Sequence, residues 1–223
     1  MNRIYYGSRA LWSTILLVSL IFTVFILPVL PTAWQANLLR PLYSLNYLSA
    51  VLSLDKRKNS LLILVFSTVV MEWGSGILGF PSLLLIAKVI NAIFFLVIVV
   101  SLIRQIATAK NVSTGVILDS VAGYLLLGLV YSIAILFIIQ IDPGAYSYPI
   151  NHAAVSGEGL STSVPLYFSF VTLATLGYGD MVPTEPYTRS LSTFIAVSGQ
   201  FYIAIIVALL VGKFSAQKDK SEN

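Results

Sequence analysis

The sequence predicts an all-α membrane protein with six transmembrane helices, one shorter re-entrant helix and a polar loop behind it. Three observations carry that expectation. Of 223 residues, 57% are hydrophobic and 10% charged, with a mean hydropathy of +0.90, whereas soluble domains carry about 25% charged residues. The apolar residues gather in runs of about 20, the length that crosses a ~30 Å hydrocarbon core at ~1.5 Å per residue. The net charge of +4 sits in short clusters beside these runs. That placement orients helices in a lipid bilayer and is not the footprint of a nucleic-acid binder. The absence of cysteine excludes a disulfide, a thiolate metal site and a cysteine nucleophile. His152 is the single histidine and has no ligand partner at metal-site spacing, so it is expected in a solvated loop.

Taken in order, residues 1–10 carry Arg3 and Arg9 and form a cytoplasmic lead-in. The first span is Leu11 to Leu30, too long for the apolar part of a signal peptide and without a small-residue cleavage site. The second, Ala36 to Leu54, contains Arg40, Pro41 and Asn46 and crosses only if Arg40 reaches the outer headgroups. The run Asp55-Lys56-Arg57-Lys58 then marks a cytoplasmic face. Leu61 to Phe80 and Ser82 to Ile103 are the third and fourth spans, joined by a hairpin rich in glycine. Arg104 and Lys110 return the chain to the cytoplasm, Gly115 to Ile141 is the fifth span, and an exposed loop runs to about Ser163. A helix from about Val164 to Ala174, with Ser163 able to cap it and Pro165 in its first turn, is too short to cross and must re-enter. The sixth span is Thr188 to Gly212, ending at Lys213, Lys218 and Lys220. With both termini cytoplasmic, all the cationic loops fall on one face of a plasma (inner) membrane.

Residues Thr172 to Asp180 read Thr-Leu-Ala-Thr-Leu-Gly-Tyr-Gly-Asp. Two glycines flanking a tyrosine allow backbone angles that a Cβ forbids, and such angles can point successive carbonyls one way. Carbonyls aimed at a common axis replace the water shell of a potassium ion. Thr172, Thr175, Gly177, Tyr178, Gly179 and Asp180 resemble the selectivity filter of the potassium channel family. The order fifth span, loop, short helix, filter, sixth span resembles that family's pore module. The resemblance implies a homotetramer, one filter strand per chain, with residues 1–110 as a peripheral four-helix domain and 111–223 as the pore domain. It implies potassium as the permeant ion, no other cofactor and no enzymatic activity. The expected ion ligands are the carbonyls of Thr175, Leu176, Gly177 and Tyr178 with the Thr175 hydroxyl, and Gly179 completes the strand. Leu176 stands where the family more often has valine. The short helix carries no carboxylate from Leu166 to Leu176, so Tyr167 is the expected hydrogen-bond donor to Asp180, with Thr172 as further support.

Gly199 lies nineteen residues beyond Asp180, the spacing of the family's inner-helix hinge; close helix packing accounts for a mid-helix glycine equally well. Ile203, Val207 and Val211 follow it at four-residue steps and are expected to line a cavity and form an apolar gate. Six spans with this pore resemble voltage-gated channels, yet the fourth offers only Lys88 and a terminal Arg104. At most weak voltage dependence is therefore expected. Glu72 and Lys88 fall at similar depth on neighbouring helices and are expected to pair. Asp119, near the inner start of the fifth span, is expected to face the cytoplasm or Arg104. The tail after Gly212 has eleven residues, so a ligand- or lipid-gated form would take its regulatory domain from a separate subunit. A secondary transporter would show repeats and broken helices in matching halves, and neither is found. A membrane enzyme would need a nucleophile with a base or an acid cluster, which the apolar runs lack.

Overall fold

The computed structural model describes residues 2–54, 58–78, 81–109, 111–147 and 163–222. Seven helices dominate them: α1 (Asn2–Ile21), α2 (Thr32–Ser53), α3 (Lys58–Leu78), α4 (Pro81–Thr108), α5 (Thr114–Ile141), α6 (Ser163–Leu173) and α7 (Pro186–Glu222). Two short strands, β1 (Tyr146–Ser147) and β2 (Val182–Pro183), pair antiparallel. Among the described residues, four stretches are long and apolar enough to cross a membrane: Ala10–Val29, Val89–Thr108, Thr114–Ile141 and Pro186–Gln217. The first stays helical to Val29 by way of a π-helical turn (Phe22–Ile26) and a 3-10 turn that takes in Pro28. Gln35 then closes the bend, its Nε2 donating to the carbonyls of Pro28 at 3.2 Å and Leu30 at 2.7 Å.

Helix α5 is the centre of the chain. Helices α1, α4 and α6 all pack against it. The largest buried side chains, among them Leu16, Leu20, Tyr47, Phe94, Phe95, Ile98 and Leu102, join α1, α2 and α4. Tyr47 lies 5.2 Å from Phe94, edge on, and 5.0 Å from Phe95 between ring centroids, within the favourable range for aromatic pairs. Three polar side chains inside this packing bond to one another. Ser19 Oγ donates to Asn46 Oδ1 at 2.6 Å, and Asn46 Nδ2 donates to Thr23 Oγ1 at 3.1 Å.

Two expectations are corrected here. Asp119 does not face the cytoplasm; it is fully buried, accepting from Ser13 Oγ at 2.7 Å and Gln105 Nε2 at 2.9 Å. Its donors come from α1 and α4, so the carboxylate ties both helices to α5. The last helix does not end at Gly212 but continues to Glu222. Lysine, glutamine and alanine favour helix, a single glycine does not stop one, and no proline follows. The side chains of Glu72 and Lys88, and all of His152, lie outside the described residues.

Candidate ion-conduction site

Helix α6 has eleven residues, about 16 Å of helix and half of what crosses a bilayer. Its end is built from backbone bonds. Leu176 N–H donates to the Val171 carbonyl at 2.9 Å and Thr175 N–H to the Thr172 carbonyl at 2.9 Å. This is a Schellman closure, with Thr175 at the left-handed position that glycine usually takes. Thr175 has φ 58°, the single positive value among described non-glycine residues. A β-branched residue there is an outlier held by its surroundings.

The sign of φ then alternates. Thr175, Gly177 (55°) and Gly179 (78°) are positive, while Leu176 and Tyr178 between them are not. Alternation of this kind sets successive peptide N–H groups on one side of the strand and carbonyls on the other. The amides of Leu176 and Gly177 both turn back to Val171 O, at 2.9 and 3.5 Å. Among the described residues, no donor reaches the carbonyls of Thr175, Leu176, Gly177 or Tyr178. Residues 174–180 are all exposed on the single chain. Four carbonyls without an internal donor thus stand together at the C-terminal, partly negative end of α6, a setting that favours a cation.

The outer end of this strand is braced on both sides. Tyr167 Oη donates to Asp180 Oδ2 at 2.6 Å, and Met181 N–H donates to Asp180 Oδ1 at 3.0 Å. The bond from Tyr167 holds the Asp180 carboxyl below its ordinary pKa of 3.8, against the opposing effect of desolvation and with lesser help from backbone amides. Thr172 contributes its carbonyl to the closure of α6. Beyond Asp180, β2 pairs with β1, Thr184 Oγ1 donates to Gly144 O at 2.6 Å, and Thr188 Oγ1 donates to Ala145 O at 3.1 Å. The segment leaving the loop is thereby fastened to the segment leaving α5.

Helix α7 approaches from the other side. It runs through Gly199 without interruption. A Cβ there would collide with the Leu173 carbonyl oxygen and lie 2.9 Å from Leu173 Cδ1, so the glycine is where the end of α6 rests on α7. Gly128 of α5 makes room for the Phe170 ring in the same manner, and Gly123 for the Tyr202 hydroxyl, which donates to Ser120 O at 2.7 Å. These two glycines were not singled out from the sequence, though small residues inside an apolar span are a signal for close helix approach. Ile203, Val207 and Val211 lie on the uncovered face of α7, 44%, 52% and 60% exposed. Gln200, also missed, stands at the top of that face, its Nε2 3.5 Å from Thr175 Oγ1.

Comparison with known proteins bears on this half of the chain. Residues 124–216, which hold α6, the strand and most of α5 and α7, match the family described as ion channel. Residues 124–216 are thus similar to an ion channel domain. The match is to a channel and not to an enzyme. Potassium voltage-gated channel subfamily A member 10 of Mus musculus and its Homo sapiens counterpart are each 32% identical over 84 residues, 36% of this chain. The chain spans 16% of the length of these relatives. No solved structure matches.

Proposed function

We propose that the chain is one subunit of a homotetrameric, potassium-selective channel in a plasma (inner) membrane. The observation that carries this reading is the alternation of φ from Thr175 to Gly179, with four donor-free carbonyls beside it. Four such strands around one axis would stack rings of carbonyl oxygens, with the Thr175 hydroxyl at the inner end, and so replace the hydration shell of potassium. A single strand does not enclose an ion. The burial of α7 supports a need for further copies: 22% of its apolar stretch is buried within the chain, against 72% for α5. The uncovered face carries Phe194, Phe201, Ile203 and Val207, suited to neighbouring copies and to an apolar cavity wall. Leu176 and Tyr178, 56% and 67% exposed, would pack behind the filter against a neighbouring subunit.

In this reading all of α1–α5 and α7 cross the membrane, with both termini cytoplasmic and α1–α4 forming a peripheral unit around the pore. Helix α4 carries Lys88 and Arg104 and no arginine ladder, so conduction should depend little on voltage. The test is ion flux into liposomes holding purified protein, with the mass of the solubilised assembly measured alongside. Potassium should pass at least tenfold faster than sodium, through a particle of four chains, at any membrane voltage. Equal passage of the two ions, or a monomeric particle that still conducts, would overturn the reading.

A further inference from the structure

Below the filter, the exposed face of α7 is apolar at Ile203, Val207 and Val211. Gln200 belongs to the same face, three residues before Ile203 and seven before Val207. It is exposed and directs its Nε2 at Thr175 Oγ1, 3.5 Å away. Thr175 is the residue whose backbone is held left-handed, so its Cβ direction is fixed by the α6 closure. What stays free is the rotation of its hydroxyl. A donor on one lone pair of Oγ1 restricts that rotation and leaves the other lone pair for a second partner. A primary amide also brings its own acceptor oxygen to a wall that otherwise has none.

We propose that Gln200 is the positioning residue for the innermost cation site, and that its copies form an amide collar between cavity and filter. The proposal rests on the channel reading above. Its amide orients the Thr175 hydroxyl toward the axis and gives a partly hydrated cation acceptors as it sheds water. The ligand class is a hard cation near potassium in size, taken from the cytoplasmic side. Being neutral, the collar selects by geometry, and it does not concentrate cations as a ring of carboxylates would.

The experiment uses Ba2+, a divalent ion close to potassium in radius, as inhibitor of potassium flux from the cytoplasmic face. Wild type, Gln200→Leu and Gln200→Glu are compared in liposomes. Loss of the amide in Gln200→Leu should weaken Ba2+ inhibition roughly tenfold, ~1.4 kcal/mol, the scale of one net hydrogen bond. Gln200→Glu keeps an acceptor and adds charge, and it should tighten inhibition by tenfold or more. Should Gln200→Leu fail to assemble, Gln200→Glu against wild type decides by the same readout. If wild type conducts potassium selectively and all assembled variants share one Ba2+ affinity, the collar is wrong while the channel reading stands. If wild type passes no potassium, the channel reading falls and takes the collar with it.

Discussion

Replacing Gly199 by alanine separates two roles for that residue. The added Cβ would meet the Leu173 carbonyl oxygen far inside the ~3.3 Å at which carbon and oxygen normally touch, and would lie 2.9 Å from Leu173 Cδ1 and 3.1 Å from the carbonyl carbon. The nearest obstacle is backbone, so no rotamer change relieves it. Helices α6 and α7 must part by on the order of 1 Å, and overpacking of this kind costs about 1–3 kcal/mol. Alanine's better helix propensity returns about 1 kcal/mol, so a net loss of up to ~2 kcal/mol is expected. The displaced residue is the last of α6, two before Thr175, and the shift therefore reaches the strand from Thr175 to Gly179. Gly199→Ala should lower the thermal stability of the assembly and reduce the preference for potassium over sodium. Gly212→Ala is the control, because nothing lies within 4 Å of its Cβ position; it should be neutral or slightly stabilising. A hinge alone predicts altered open probability with stability and selectivity intact. Gly199→Ala with wild-type stability and wild-type ion preference would refute the packing argument.

Gly123→Ala drives a Cβ into the Tyr202 hydroxyl, and Tyr202→Phe deletes that hydroxyl along with its bond to Ser120 O. Denaturation of the four members of this cycle should give a double variant at least ~1 kcal/mol more stable than the summed singles imply. Lys213 Nζ donates to the carbonyls of Ile106, Ala107 and Ala109 at the end of α4. Lys213→Met leaves those acceptors without their cation and should cost about 1–3 kcal/mol, seen as a lowered melting temperature. The Asp180 carboxyl titrates below its ordinary value because Tyr167 donates to its charged form. A depressed acid contributes stability above the unfolded pKa and loses it as pH falls through the folded one. Flux should therefore survive external pH 5 and fail only below about pH 4. Tyr167→Phe should move that failure to higher pH, as a titration of flux against external pH would record.

The parts legible in the sequence are those set by local composition. Apolar runs gave the limits of α5 and α6 nearly to the residue, because lipid demands continuous helix wherever backbone would otherwise be unpaired. The strand from Thr175 to Gly179 was legible because two glycines and a tyrosine compress its requirement into five positions. Asp119 was misread because its donors, Ser13 and Gln105, stand 106 and 14 residues away. Burial decided by partners on other helices leaves no local mark. Helix α7 outran its expected end because a glycine and a run of lysines look like a boundary, while their helix propensities allow continuation. Gln200 disappeared into the apolar stripe below it; a lone amide beside Gly199 was the signal available.

Lipid supplies no hydrophobic drive between helices, so association depends on close approach and on polar bonds across the gap. Both kinds occur where α1 and α4 meet α5, α6 and α7, beside the apolar core that these helices share. At membrane depth, Gly128 lets Phe170 of α6 come within 6.4 Å of Phe25 in the π-helical turn that follows α1. Toward the start of α5, Asp119 draws in Ser13 and Gln105, and Tyr202 of α7 bonds the neighbouring Ser120 carbonyl. Further along α7, Lys213 holds the end of α4, and Gln217 Oε1 accepts from Val112 N–H at 3.2 Å. Each of these contacts ends on α5, α6 or α7. A displacement of α1 or α4 cannot be absorbed within those helices alone, because both are fastened to α5 and α4 also to α7.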